Sequence, residues 1–204
     1  MLNPVAKNVL EYWFGKVRPI GVEDSKARMK LWFSSNADQD YDIERRFGKL
    51  VSTARKGAFD SWADDPETCL ALILLLDQFP RNLHRGQASA FSSDSKALAL
   101  SEGLLKSGKM SSLGYSEQAF ALMPFQHSED LEVQNRGIEA YANLAETAPD
   151  TWKNTMRGYL DFARQHQAIV EQFGRFPHRN QALDREATEA EEAFLSDGGS
   201  TFGQ

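Results

Sequence analysis

Cysteine is nearly absent from this chain of 204 residues, which contains Cys69 alone. This excludes an internal disulfide framework and any metal site built from several thiolates. Cys69 lies among leucines and alanines, a setting that predicts a buried, inert thiol rather than a nucleophile. A secretory signal is also missing, because Glu11 interrupts the apolar residues near the start of the chain. Together these features predict a cytoplasmic protein.

Long apolar runs and net positive charge are lacking as well. The longest apolar run, residues 69–76, is far too short to cross a bilayer. The net charge of −6 opposes binding to nucleic acid or to an anionic membrane surface. We therefore expect no nucleic-acid partner and no membrane partner.

The motifs of the common cofactor, metal and hydrolase sites are absent too. There is no glycine-rich phosphate loop, no GxSxG elbow and no HExxH helix. His127, Glu129 and Asp130 together have the composition of a metal site. A helix capped by Ser128, with two acids in its first turn, explains the same residues more simply. The sequence therefore predicts no bound metal and no cofactor.

What the chain does contain is helical periodicity along its whole length, and no segment alternates as a half-buried strand does. Pro80 and Pro124 are predicted to end two helices, and Ser128 to begin another. Thr188 and Glu191 have the spacing of a capping box for the last helix.

The connections between these helices are short, and no low-complexity linker divides the chain. We therefore expect one all-α domain spanning residues 1–204. It should contain eight to ten helices packed as antiparallel hairpins.

Two short polar segments stand out from this pattern, residues 77–82 (DQFPRN) and 173–180 (FGRFPHRN). Each places an arginine and an asparagine beside a proline at a predicted helix end. Two such corners, held rigid by proline, indicate a site. Chance similarity explains their resemblance to each other better than an internal repeat does.

Asp77 is the first charged residue after eight apolar ones. A carboxylate in the last turn of a helix opposes the helix dipole, and burial adds to that cost unless a cation answers it. The expected partner is Arg81 nearby, or Arg175 or Arg179 in the other corner. A structural salt bridge is the favoured role, and a general base or a carboxylate that orients a histidine is the alternative.

Two histidines lie close to the second corner. His166 shares a helical face with Phe162 and Ile169, which predicts a core histidine with one ring nitrogen satisfied. His178 follows a proline and precedes Arg179, whose charge disfavours the imidazolium form. We therefore expect His178 to be neutral at pH 7.

The second corner has two interpretations. Arg175, His178, Arg179 and Asn180 have the donors needed to hold an anion in a fixed geometry. The same groups would equally satisfy the free carbonyls at a helix end, with Asn180 forming an Asx turn. The sequence alone leaves both readings open.

A series of segments matches a known family in order, namely residues 11–15, 77–82, 85–86, 90–91, 94, 123–130, 134, 164, 166 and 173–180, the capping box of Thr188 and Glu191, and residues 194–195. On these residues the chain resembles the bacterial all-helical family catalogued as domain of unknown function 924. The resemblance implies a superhelix of helical hairpins similar to tetratricopeptide repeats, and it implies no activity. The family typically has glycine where this chain has Asp184, so we expect Asp184 to adopt a positive φ or the turn to differ.

These observations define a candidate ligand-binding pocket made from both corners and the neighbouring helices. Its predicted residues are Asp77, Arg81, Asn82, His127, Glu129, Arg164, His166, Arg175, His178, Arg179 and Asn180. The first hypothesis is a pocket for a small anionic ligand or an acidic peptide. The second is a scaffold that binds a protein partner and uses the motifs only to fix helix corners. The third is an enzyme in which His166 or His178, oriented by Asp77 or Glu129, transfers protons.

Overall fold

The computed structural model describes residues 2–34 and 36–203, and across these residues it is helical without any strand. The helices are α1 Pro4–Phe14, α2 Val22–Ala27, α3 Met29–Phe33, α4 Ala37–Arg55, α5 Pro66–Ile73, α6 Phe79–Leu83, α7 Asp94–Lys106, α8 Tyr115–Gln126, α9 Leu131–Thr147, α10 Asp150–Phe173 and α11 Glu189–Ser196. A π-helical segment, Leu74–Gln78, joins α5 to α6 as one rod. Counted this way, the described residues form ten separate α-helices, and the all-α prediction is confirmed.

Side-chain caps start several of the helices. Asn3 accepts a hydrogen bond of 2.9 Å from the backbone N–H of Val5, with proline at the first position of α1. The predicted capping box of Thr188 and Glu191 starts α11 and is confirmed. These caps satisfy amide groups that the first turn of a helix leaves free.

The prediction that Pro80 ends its helix is wrong, and the π-helical segment explains why. A proline at this place has no N–H for the carbonyl of Leu76 and its ring crowds that carbonyl. The helix widens instead, so that the N–H of Phe79 bonds the carbonyl of Leu74, five residues back. The carbonyl of Leu76 accepts a hydrogen bond of 2.8 Å from the hydroxyl of Ser93. The rod therefore continues to Leu83.

Two further predicted boundaries near residue 127 are wrong. Pro124 lies inside α8, which continues to Gln126 because every residue from 119 to 126 is buried and packing outweighs propensity. The cap of α9 is Asp130, whose carboxylate accepts hydrogen bonds from Glu132 and Val133, and not Ser128. Glu129 therefore precedes α9, and its side chain extends toward Phe176 and Arg185.

One hydrophobic cluster extends from Ala6 in α1 to Ala163 in α10. The rod formed by α5, the π-helical segment and α6 lies at its centre, and residues 70–76 of this rod are fully shielded from solvent. Cys69 is buried there, and burial raises the pKa of its thiol to about 11, as expected for an inert cysteine. The most extensive contact between two helices is that of α9 with α10, which are joined by a connection of two residues.

A second, smaller cluster joins the end of α10 to the C-terminal region, through Ile169, Val170 and Phe176. None of the described helices is long and apolar enough to cross a membrane. The superhelix similar to tetratricopeptide repeats stays a prediction.

Candidate functional site

Asp77 lies in the π-helical segment with no solvent exposure. Its Oδ1 is 2.7 Å from Nδ1 of His127 and 3.2 Å from Nη1 of Arg81, and its Oδ2 accepts a hydrogen bond of 2.6 Å from Gln78. Burial alone would raise the pKa of this carboxyl, but Arg81 and then His127 outweigh it and hold the pKa well below the ordinary value. We call Asp77, Gln78, Arg81 and His127 the Asp77 cluster.

The expected pairing of Asp77 with Arg81 is confirmed, whereas its contact with His127 was not predicted. Because Asp77 is ionised, Nδ1 of His127 carries the proton and donates it to the carboxylate. Nε2 is then left as an acceptor, and it has no hydrogen-bond partner among residues 2–34 and 36–203. Burial, followed by the charge of Arg81, lowers the pKa of His127, so the imidazole is neutral at pH 7.

The two proline-fixed corners meet at Asp94. Arg81 binds both oxygens of this carboxylate, at 3.0 and 2.9 Å, and Nη1 of Arg179 is 3.6 Å from Oδ2. Arg179 also donates a hydrogen bond of 3.0 Å to the carbonyl of His127. Its guanidinium lies 4.5 Å from the ring centres of both Phe91 and Phe176. Arg179 therefore joins the corners through Asp94 and not through Asp77.

Glu129 is the centre of a second group of hydrogen-bonded residues. We call Glu129, Phe176, Asn180 and Arg185 the Glu129 cluster. One carboxylate oxygen accepts the backbone N–H of Phe176 at 2.9 Å, and Arg185 binds both oxygens at 2.7 and 3.0 Å. Arg185 also donates to the side-chain oxygen of Asn180 at 3.1 Å. Asp184 adopts a φ of 52°, so it takes the strained conformation expected where the family typically has glycine.

Several predicted site residues lie away from this meeting point or have other roles. Arg175 binds Glu191 at 2.6 Å, and Arg164 forms an exposed pair with Asp161 at 3.3 Å. The side-chain oxygen of Asn180 accepts from Arg185, so the Asx-turn interpretation is wrong.

Neither His166 nor His178 hydrogen-bonds a carboxylate among the described residues, so the pairings expected for an enzyme are wrong. His178 is partly buried, and burial followed by the charge of Arg179 lowers its pKa to about 3, which agrees with the neutral form predicted. Asp77 is hydrogen-bonded to His127 instead, because its place in the π-helical segment directs its carboxylate toward the end of α8.

A cavity of about 720 Å³ lies in front of the Asp77 cluster. Four of the predicted site residues line it, namely Arg81, Asn82, His127 and His166. Aromatic side chains from α3 and α10 form much of the wall, and the lining includes Trp32, Phe33, Tyr159, Phe162 and Phe202. The sequence patterns gave no indication of these aromatics as site residues, because those of α3 and α10 have the helical spacing of ordinary core positions and Phe202 follows the last helix outside any motif.

The charged side chains in the lining are Lys26, Arg81 and Arg85, and the described part of the lining contains no acid. Arg85 is held by Asp40 at 2.8 Å, outside the lining. Among the residues that the structure describes, Lys26 forms an ion pair with Glu23 alone, at 2.8 Å, and both side chains are more than half exposed. Such an exposed pair contributes little and leaves the ammonium free to exchange partners.

The segment Gly198–Gly203 covers part of the cavity. The ring of Phe202 stacks on His166 with centroids 3.5 Å apart and planes 13° from parallel. Arg85 donates a hydrogen bond of 2.6 Å to the carbonyl of Gly203. The chain thus places its own aromatic ring against a histidine of the cavity wall.

Three polar groups of the lining have no protein partner in the part of the chain that the structure describes. They are Nε2 of His127, Oε1 of Gln126 and the hydroxyl of Tyr159. The Gln126 and Tyr159 oxygens are fully buried, and buried polar atoms without partners are uncommon and costly in folded proteins. Nδ1 of His166 is satisfied, since it donates to the carbonyl of Phe162 at 2.8 Å, and burial lowers the pKa of this histidine to about 3.

A smaller cavity of about 370 Å³ lies behind His127, lined by Asp94, Glu129 and Arg179 among others. Asp94 and Arg179 pair with each other, and Glu129 pairs with Arg185 outside the lining. Within residues 2–34 and 36–203, no group of three or more histidine, cysteine or acidic side chains is placed to hold a metal ion.

This all-helical fold has a counterpart among known proteins. The chain belongs to a family described as bacterial protein of unknown function (DUF924), whose model matches residues 9–199. It is also similar to a solved structure, a protein of unknown function, ATU0120, from Agrobacterium tumefaciens. The two share 32% identity over 95% of this chain and 98% of that one, with a TM-score of 0.80. A search of curated proteins found no match.

Proposed function

We propose that the protein binds a small molecule in the 720 Å³ cavity, and that this ligand combines a flat ring with an anionic group. The observation that carries the proposal is the composition of the lining, which has aromatic rings, three cations and no acid among the described residues. The volume is in the range of ordinary small-molecule sites.

The ring of the ligand would lie against the aromatic wall. Phe33 and Phe162 are parallel within 7°, and they are 47% and 49% exposed although they are large and apolar. Met29, which is 40% exposed, lines the same cavity. A flat ring placed there would bury this apolar surface, at about 25 cal/mol for each Å².

The anionic group of the ligand would lie near Lys26 and Arg85. Arg179, one of the four residues of the second corner that were considered for holding an anion, pairs with Asp94 and does not line the large cavity. The same holds for Arg175, which Glu191 neutralises. The binding charge is therefore expected on Lys26, whose ammonium is the most accessible of the lining cations.

A scaffold for a protein partner has less support. It predicts an apolar patch away from the polar motifs. The exposed large apolar residues that lie together, Met29, Phe33 and Phe162, belong to the cavity. The remaining ones, Val5, Val17, Tyr41, Leu105 and Leu131, come from five different parts of the chain.

The test is thermal unfolding with benzoate, indole-3-acetate, nucleotides, aliphatic dicarboxylates and an acidic peptide. A ligand at one hundred times its dissociation constant stabilises the protein by about 2.7 kcal/mol. We expect aromatic carboxylates to raise the melting temperature and aliphatic dicarboxylates to leave it unchanged. A shift with dicarboxylates alone would contradict the ring, and no shift with any compound would contradict the proposal.

Two matched pairs of variants locate the site. Lys26→Met is compared with Lys7→Met, because both lysines pair with a glutamate on their own helix and are 58% and 59% exposed. Phe162→Ala is compared with Tyr41→Ala, an exposed aromatic outside the cavity. The first member of each pair should weaken binding by about tenfold or more, and the second should not.

A further inference from the structure

We propose that this site carries general-base chemistry, in which Nε2 of His127 removes a proton from a hydroxyl group of the bound small molecule. His127 is then the catalytic residue, and Asp77 is a positioning residue that acts through it. The proposal rests on the ligand-binding function above for its substrate, which must present a hydroxyl group next to the aromatic ring or its anionic substituent.

The geometry of the Asp77 cluster fits this role. The imidazole is fixed by a hydrogen bond of 2.7 Å to Oδ1 of Asp77, and Gln78 holds the other oxygen of the same carboxylate at 2.6 Å. Asp77 is fully buried in a rigid rod, so the direction of the imidazole is set before any ligand arrives. A carboxylate on Nδ1 selects the tautomer with a free lone pair on Nε2.

A general base here needs a carboxylate partner and access to the cavity, and His127 has both. Among the described residues, it alone of the histidines contacts a carboxylate and lines the large cavity. His166 lines the cavity, but its Nδ1 donates to a carbonyl and the ring of Phe202 covers its face. His178 lies outside the lining.

The proton transfer balances without a further reactant. The lone pair of Nε2 forms a new N–H bond, the O–H bond of the substrate breaks, and its electron pair stays on oxygen. The Nδ1 proton stays on His127 and remains hydrogen-bonded to Asp77, whose negative charge stabilises the imidazolium. Arg81, in the same wall, stabilises the charge on the oxygen, and the proton returns when that oxygen is reprotonated.

The charges around His127 keep it ready to accept a proton. Asp77 and Arg81 come from the π-helical rod, Asp94 from α7, His166 from α10 and Arg179 from the second corner. Two carboxylates and two guanidiniums balance one another, so the neutral imidazole fits the cluster. Burial and Arg81 lower its pKa, and the lone pair is therefore free at neutral pH.

The first test reads the tautomer in the wild-type protein by ¹⁵N–¹H correlation of the histidine side chains at pH 7. We expect Nδ1 of His127 to be protonated and Nε2 to be free. The second test uses diethyl pyrocarbonate, which acylates free imidazole nitrogens, with peptide mass spectrometry to locate the modified residue. His127 should react at least as fast as His84, which is partly exposed.

Asp77→Asn separates positioning from packing. The amide donates to Nδ1 and moves the proton to Nε2, so the modification of His127 should slow by at least about tenfold while His84 reacts as before. A protonated Nε2 in the wild type, or an inert His127, would overturn the proposal. If His127 is modified at the same rate in wild type and in folded Asp77→Asn, Asp77 is not a positioning residue. If that variant does not fold, the wild-type spectrum still decides the tautomer.

The result is separable from the ligand test. Aromatic carboxylates that bind and do not protect His127 from the reagent would leave the binding function intact and overturn the general base. A reactive His127 with no binding of any compound would overturn the binding function instead.

Discussion

The Asp77 cluster and the Glu129 cluster use the same kinds of side chain, yet they differ in what they leave unused. Both oxygens of Glu129 are taken by Arg185 and by the backbone of Phe176. In the Asp77 cluster the carboxylate is equally occupied, but Nε2 of His127 has no partner in the described chain and the residue lines a large cavity. The density of charged motifs therefore marks rigid corners, and an unpaired atom beside a cavity marks the candidate site.

The largest expected effect comes from removing the centre of the Asp77 cluster. Asp77→Ala leaves Arg81 and His127 without their shared acceptor in a fully buried place. Breaking such a pair from one side costs about 3–5 kcal/mol, and urea unfolding at pH 7 measures it. A loss below about 1 kcal/mol would show that solvent reaches the cluster.

The next largest effect is expected from acid, through two histidines that are neutral in the folded protein. His166 and His178 have pKa values of about 3, below the ordinary 6.5, so the unfolded chain binds more protons than the native one between these values. Stability is then lost as pH falls from about 6.5 toward 3, by at most about 1.4 kcal/mol per pH unit for each histidine.

The carboxylate pairs of the C-terminal region behave differently in acid. Glu191 has a pKa lowered from 4.5 to about 2 by Arg175, so its stabilisation is fully present above pH 4.5 and is lost progressively as pH falls from 4.5 to about 2. Urea unfolding at pH 7, 6 and 5 checks the contrast, and His178→Gln should reduce the slope. A slope unchanged in this variant would mean that His178 has the same pKa in the native and the unfolded protein.

The smallest expected effect is the coupling inside the Glu129 cluster. A double-mutant cycle of Glu129→Ala and Arg185→Ala should give about 1–2 kcal/mol, because the pair is bidentate and partly buried. The matched control is Asp161→Ala with Arg164→Ala, an exposed pair on α10, for which we expect less than about 0.5 kcal/mol. Equal coupling energies in both pairs would mean that the Glu129–Arg185 pair stabilises the fold no more than an exposed ion pair does.

Much of the fold was predictable because it follows from local patterns. Helical spacing and caps such as Asn3 act within a few residues, and the sequence displays them directly. The predictions at Pro80 and Pro124 were wrong because packing and a hydroxyl from Ser93 compensate for the missing N–H. Such compensation comes from another helix and leaves no pattern nearby.

The candidate site was predictable only in part, for the same reason. Asp77 and Arg81 are neighbours in sequence, and their pairing was expected from the chain alone. The contacts of Asp77 with His127 and of Arg179 with Asp94 join residues 50 or more positions apart. Phe162 and Phe202 entered the site only through the shape of the cavity.

The shared carboxylate of Asp94 has a consequence for how the molecule folds. Most helix pairs here join near neighbours in sequence, which favours fast formation of hairpins. The bridge from Arg81 through Asp94 to Arg179 closes a loop of nearly one hundred residues, and the entropy of that closure is lost before its contacts are gained. We therefore expect the helices to assemble first and the bridge between the two corners to close late in folding.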